Sequence, residues 1–519
     1  MKKLITLLLA SMILLSCSDE YLDRSSLTQI AEGNFWKSES DAYLALNAAY
    51  SVLQSRSMYG GNLNGWQGFP AFDCIGDNAY NQYEWEGPGV FMEGTLNPAN
   101  GTTGGPTGVI WNNSYQGIAR VNDIIKNVTL MSDDLISPTS KNQVLGQAYF
   151  LRALFYFNLA VYFEDVPLIL QPQTIDDAFV PKNSYAEVNA QIIEDLKFAS
   201  ANLPITQPAN LYGYATKGAA LSLFARVQLY NGVHTGEFGV LSLTEQVLGL
   251  GYSLHPNYAS LFTPANETSS EIIFAVRFLR GVGTNNGENF SATFLGTPKI
   301  DVRPMPNLAK DYYCTDGKPI TISPLYSATD ERLNRDPRAL ATIYFKNDQY
   351  MDNPVRIFPG NGPTTYAQRK YIRRGPDADG NGISEDGSQD FYLIRYADVL
   401  LMRAESMAET NNISGATALV NQVRARVNMP SVQNAEGSVN QFQMIQIVRH
   451  ERRVELALEG LRFMDLKRWN QVEQAFIRAD SDPVAGYTPQ YLGHKSRVFP
   501  IPQNEIDVNT KLVQHPAWQ

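Results

Sequence analysis

Between Asp73 and Trp85 the chain places three carboxylates (Asp73, Asp77, Glu84), three side-chain amides (Asn78, Asn81, Gln82) and three rings (Tyr80, Tyr83, Trp85). Such a set suits a ligand that offers apolar C–H faces and many hydroxyls. Rings stack on the faces, and carboxylates and amides take the hydroxyls. Asp73, Asp77, Asn78, Tyr80, Tyr83 and Trp85 are therefore the candidate binding residues. A second acidic set runs Asp377-Ala-Asp379-Gly-Asn381-Gly382-Ile383-Ser-Glu385. It matches the first nine positions of a calcium loop, with oxygens at 1, 3 and 5, glycine at 6 and a backbone carbonyl at 7. Position 12 is Ser388 where a bidentate Glu belongs, so Asp386 or Asp390 must substitute. The two readings are a structural Ca2+ held by Asp377, Asp379, Asn381, Ile383 and Glu385, or a solvated acidic turn. No other cofactor is expected.

Catalytic signatures are missing. The five histidines include no HExxH pair and no two at ligand spacing. The run Gly251-Tyr-Ser253-Leu-His255 misses the nucleophile elbow at its last position, and there is no Walker loop or GxGxxG. A glycosidase needs only two carboxylates about 5–9 Å apart in space. A hydrolase therefore stays as the alternative function, with no catalytic residue assigned.

These side chains need elements to position them, and the body reads as helices. Trp111, Tyr115, Ile118, Asn122 and Ile125 form a stripe, which excludes Trp111 and Tyr115 from the ligand set. From Val144 to Phe163 the chain is apolar almost all round, so that helix is central and buried. Tyr185–Leu203 is striped, and Lys217–Tyr230 starts at an N-cap Thr216. Tyr396–Glu409, Ala416–Val427 entered through Ser414, Gln441–Glu459 and Leu461–Gln474 follow, with short connections. The fold class expected is mostly α, a tetratricopeptide-like array of helix pairs with few short strands. Glu271–Phe278 and Arg338–Phe345 are strand candidates. Residues 58–108, with twelve glycines and many rings, and residues 281–387 show no sustained period. Long irregular stretches of this kind form functional loops, here a loop-rich binding face.

Lys2 and Lys3 precede an apolar run, Leu4–Leu15, that is too short to span a membrane and reads as a secretory signal. Leu14-Leu15-Ser16-Cys17 is similar to a lipobox, which makes Cys17 the lipidated residue and 1–16 the signal peptide; the rest is expected to divide into an N-terminal helical region with the binding loops, 17–270, and a C-terminal region, 271–519. Cys74 and Cys314 read as buried free thiols. Acidic residues outnumber basic ones, 52 to 42, which disfavours a nucleic-acid partner. The basic run Arg449, Arg452, Arg453, Arg462, Lys467, Arg468 interleaves with Glu451, Glu455, Glu459 and Asp465. Spacings of three, Arg452–Glu455 and Asp465–Arg468, point to structural ion pairs.

Several blocks carry a family resemblance when taken in order. They are Cys17–Asp23, Arg152–Ala160, Asp165–Ile169, Thr216–Arg226, Ile394–Leu401 with Arg403-Ala-Glu405, Leu419–Arg426, Arg449–Leu456, Glu459-Gly460, Arg462-Phe463, Asp465–Trp469 and Pro500–Ile506. Together they resemble the SusD/RagB family of Bacteroidetes outer-membrane nutrient-uptake lipoproteins, departing at Gln514-His-Pro-Ala-Trp518, where members often show Gln-Asn-Pro-Gly-Tyr. The resemblance implies a non-enzymatic, lipid-anchored, surface-exposed protein that captures glycan. It also implies delivery to a SusC-like TonB-dependent outer-membrane transporter. Some members take other nutrients, so a peptide ligand stays open.

Overall fold

The computed structural model describes residues 35–61, 68–83, 88–99, 106–281, 287–295, 300–352, 355–373 and 386–519. Six helices dominate the first half: α1 (Glu39–Tyr50), α2 (Pro106–Leu130), α3 (Pro138–Phe163), α4 (Tyr185–Asn202), α5 (Lys217–Tyr230) and α6 (Val240–Leu248). Five follow in the second: α7 (Tyr396–Glu409), α8 (Ile413–Arg426), α9 (Gln441–Leu456), α10 (Arg462–Arg468) and α11 (Val472–Asp480). From α1 to α9 successive helices pack on one another, and α7 packs on both α5 and α6, so the two halves share one core. This is a tetratricopeptide-like helical array.

Local chemistry starts these helices. Thr216 accepts the Ala219 N–H at 3.2 Å and caps α5. Ser184 and Glu187 form a reciprocal capping box on α4, and Asn440 and Gln443 do the same on α9. Helix α3 is long and apolar enough to cross a membrane, yet between Val144 and Phe163 only Tyr149 is not buried, so it is the central core helix. Its buried Arg152 is satisfied by Asp195 of α4 through two 2.7 Å bonds and by Asn122 of α2 at 3.0 Å, which ties three helices together.

Strands are few and short: β1 (Ala79–Asn81), β2 (Ile272–Val276), β3 (Val302–Pro304), β4 (Ile343–Tyr344), β5 (Gln349–Asp352), β6 (Val355–Ile357), β7 (Ala367–Gln368) and β8 (Phe391–Arg395). Among the described residues they pair as four antiparallel two-stranded ribbons, β1–β3, β2–β8, β4–β7 and β5–β6. The strand expected at 338–345 is mostly a helix, Pro337–Thr342, because Asp336 caps it and Pro337 occupies its first position. Helix α8 is entered through Asn412, which accepts the Gly415 N–H at 3.0 Å, and not through Ser414. The single helix expected at 461–474 breaks into α10 and α11, and α9 ends three residues short of Glu459. Cys74 and Cys314 are both buried free thiols.

The arginine-rich run is an interior ion-pair network. Arg395 meets Glu271, Glu455 and Glu459 at 2.7–2.8 Å, and Arg338 meets Asp336, Glu451 and Glu455 at 2.5–3.1 Å. The Asp465–Arg468 pair forms at 2.8 Å. Arg452 turns to Asp398 and Asp465 instead of Glu455, which is taken by Arg395, Arg426 and Arg338.

Candidate functional site

The segment carrying the expected ligand residues begins in a short 3-10 turn, Phe69–Ile75, and continues into β1. Its carboxylates point inward. Asp77 is fully buried and bonds Arg462 through Nε at 2.6 Å and Nη2 at 3.0 Å, with Arg478 Nε at 2.5 Å and Arg453 Nη2 at 3.5 Å. Burial by itself would raise the Asp77 carboxyl, but the three guanidiniums outweigh it and hold it well below the usual range. Asp73 accepts the backbone N–H groups of Leu458 (3.1 Å) and Gly460 (2.7 Å) and the Asn78 amide (2.7 Å). It thereby caps the turn between α9 and α10. Gly460 is required in that turn: its φ is +77°, and a Cβ would lie 2.8 Å from the Phe69 carbonyl oxygen. Asn78 also accepts Arg453 Nε at 2.9 Å, and the Tyr80 ring packs on Tyr487 with centroids 5.1 Å apart.

Asp73, Asp77, Asn78 and Tyr80 are thus corrected from ligand residues to interior ones, none more than 3% exposed. The physical reason is charge balance. The arginines of α9, α10 and α11 need counterions inside the protein, and this N-terminal segment supplies them. Rings on either side of the segment also belong to the core: Phe69, Phe72 and Phe91 pack on Tyr162 and Phe499.

Tyr83 behaves differently. It is half-buried, just past β1, where the β1–β3 ribbon opens. Its backbone N–H donates to Asp301 Oδ1 at 3.0 Å, and the Gln82 N–H donates to the Asp301 carbonyl at 2.8 Å. Arg303 of β3 donates to Gln82 Oε1 and, from Nη1, to the carbonyls of Asn361 (3.2 Å) and Tyr366 (3.3 Å). One guanidinium thus gathers three chain segments at a corner that carries a ring, an amide and a cation. Sequence reasoning missed Gln82 as a partner of Arg303, and no spacing signal links residues 221 positions apart.

Three expected sites lie outside the described residues: Trp85, Cys17, and the loop with Asp377, Asp379, Asn381, Ile383 and Glu385. Of the two carboxylates considered for closing that loop, Asp390 is committed elsewhere. It pairs with Arg277 at 3.2 Å and accepts the Phe278 N–H at 2.9 Å.

Concave surfaces lie elsewhere on the described residues. A cleft of about 360 Å³ is lined by Tyr212, Tyr252, Gln207, Glu267 and Arg277, with the Arg277 guanidinium 4.5 Å above the Tyr212 ring. Beneath it Glu267 accepts the Asp390 N–H at 2.6 Å, and burial together with the Asp390 charge pushes the Glu267 carboxyl up. An apolar groove of about 550 Å³ runs past Trp111, Tyr115, Phe179, Val508 and Leu512.

Comparison with known proteins sets this geometry in context. The family model "SusD family" matches residues 270–518, and "Starch-binding associating with outer membrane" matches residues 77–229. SusD-like protein P2 of Formosa agariphila is 26% identical, with 98% of each chain covered. A SusD-like protein of Bacteroides ovatus is 25% identical, covering 90% of this chain and 82% of the relative. Among solved structures, a SusD-like carbohydrate binding protein from Bacteroides fragilis superposes with a TM-score of 0.77 at 27% identity, covering 92% of this chain and all of that one. A laminarin binding SusD-like protein gives a TM-score of 0.73 at 26% identity, covering 92% and 99%.

Proposed function

Because the chain belongs to the SusD/RagB family, we propose that it is an outer-membrane, surface-exposed lipoprotein that captures glycan without cleaving it. On this reading the captured oligosaccharide passes to a SusC-like TonB-dependent transporter. The observation that carries the reading is the superposition, over 92% of the chain, on a structure named as carbohydrate binding. Chemistry at the corner is compatible with it. Tyr83 is only partly buried, and the part-exposed Gln82 amide beside it, held in place by the buried Arg303, is a hydrogen-bonding group suited to sugar hydroxyls.

The test is a glycan array or affinity gel run in parallel with a reducing-sugar assay. Retention of one polysaccharide class without release of reducing ends is expected. Tyr83→Ala is expected to weaken retention at least tenfold while leaving the melting temperature nearly unchanged. Release of reducing ends would favour the hydrolase, and binding of peptides in place of glycans would move the ligand class.

A further inference from the structure

At the C-terminal end of α3 the chain turns through Glu164, whose φ of +64° is uncommon for a residue with a side chain. Two histidines from distant segments converge on its carboxylate. His494 comes from the 3-10 turn Gly493–Arg497, and His515 caps the last 3-10 turn, Pro516–Trp518. Their Nε2 atoms lie 3.4 Å and 3.2 Å from the same oxygen, Glu164 Oε2. The two rings stack with centroids 5.2 Å apart and planes within 9°, and the three donor atoms all lie within 4.8 Å of one another. Lys467 Nζ holds the other carboxylate oxygen at 3.1 Å and also donates to the Val161 carbonyl at 2.7 Å.

We propose that Glu164, His494 and His515 form a binding site for a borderline divalent metal ion of the zinc type. A tetrahedral zinc with bonds of about 2.0–2.1 Å sets its ligand atoms roughly 3.3–3.4 Å apart. The carboxylate–imidazole edges, 3.4 Å and 3.2 Å, lie close to that length, and the imidazole–imidazole edge is within 4.8 Å. Two imidazoles and one carboxylate select such a metal over calcium or magnesium, which take oxygen ligands. His494 is half-exposed, so a fourth position opens to water, the pattern of a three-ligand site. Lys467 orients the carboxylate from behind, as outer hydrogen bonds do at metal sites.

Metal binding has a structural signature at this site. Without metal, His515 Nδ1 accepts the Ala517 N–H at 3.1 Å, so the ring proton sits on Nε2 and is donated to Glu164. When Nε2 binds metal, that proton moves to Nδ1 with no net release, and Nδ1–H then faces the Ala517 N–H. The cap of the last turn must open, and Trp518, whose Nε1 donates to the Val498 carbonyl at 3.0 Å, rides on that turn.

The experiment titrates metal-stripped, untagged protein with Zn2+ by calorimetry and with Co2+ by visible absorption, recording tryptophan emission alongside. One equivalent of Zn2+, tetrahedral Co2+ bands and a change in emission are expected. His494→Ala and Glu164→Gln are each expected to weaken uptake at least tenfold, while His450→Ala leaves it unchanged. Absence of saturable uptake at sub-millimolar Zn2+, or uptake indifferent to His494→Ala, would overturn the proposal. His494 is on the surface, so that variant keeps its fold, and a melting curve checks this.

Discussion

Asp77 shows how much one buried carboxylate can organise. Three arginines from α9, α10 and α11 converge on it. Removing one partner of a buried pair leaves charges without counterions and costs about 3–5 kcal/mol. Asp77→Ala is therefore expected to lower stability by roughly that amount in denaturant unfolding. An unchanged unfolding midpoint would mean that the arginines reach solvent. Asp398 and Glu405 belong to the same interior chemistry. Burial would raise both, yet Arg226 and Arg452 hold Asp398 at about 2, and Arg468 and Arg452 hold Glu405 at about 2. A carboxyl lowered in the folded state stabilises above its unfolded pKa, and the effect is lost as pH falls through the folded value. Each contributes on the order of 2–3 kcal/mol, so melting temperature should fall steeply from about pH 4.5 toward 2. Glu267 works in the opposite sense. Burial, then the charge of Asp390, raises its carboxyl, so stability declines as pH climbs from the ordinary carboxylate range through neutral. Glu267→Gln should flatten that upper arm, and thermal melts across pH measure both arms.

At the scale of elements, helices were legible wherever period and cap agreed. Thr216 and the interval 217–230 are where the spacing puts them, as is the buried face of α3. Boundaries failed where two cap residues competed. Asn412 and Ser414 both precede the apolar period of α8, and only Asn412 accepts the N–H three residues on. Asn412→Ala should accordingly cost about 1 kcal/mol and Ser414→Ala a few tenths, measured by chemical denaturation. Equal losses would mean that the two share the capping. The 338–345 segment misread for a related reason. Its apolar and β-branched residues fit a strand, but Asp336-Pro337 ahead of them starts a helix. Partner choice was legible for Asp465 and Arg468, which pair as their spacing puts them, but not for Arg452 and Glu455. Spacing places Arg452 and Glu455 on one face, while tertiary neighbours hand Arg452 to Asp398 and Glu455 to Arg395. The ligand corner failed likewise: residue types at 73–80 suited a binding site, but only their neighbours in space make them interior.

For the molecule as a whole, the anchor is the property tested most simply. Cys17 is the lipidation expectation, and the one long apolar helix among the described residues, α3, is buried in the core. Cys17→Ala should therefore leave the protein in the soluble fraction or as unprocessed precursor, read by membrane fractionation. Normal membrane association of the variant would point to another attachment. Acylation contributes about 0.8 kcal/mol per buried CH₂, so a one-residue change removes the whole effect.

The Asp77 node also has a consequence in time. Arg453 follows Asp77 by 376 residues. At about 5–20 residues per second of synthesis, Asp77 is made roughly 20–75 s before that arginine exists. Through that interval the segment around Asp77 lacks the counterions that bury it in the folded protein. Docking of that early segment therefore waits for the last quarter of the chain, so the newest residues set the moment at which this old one is buried.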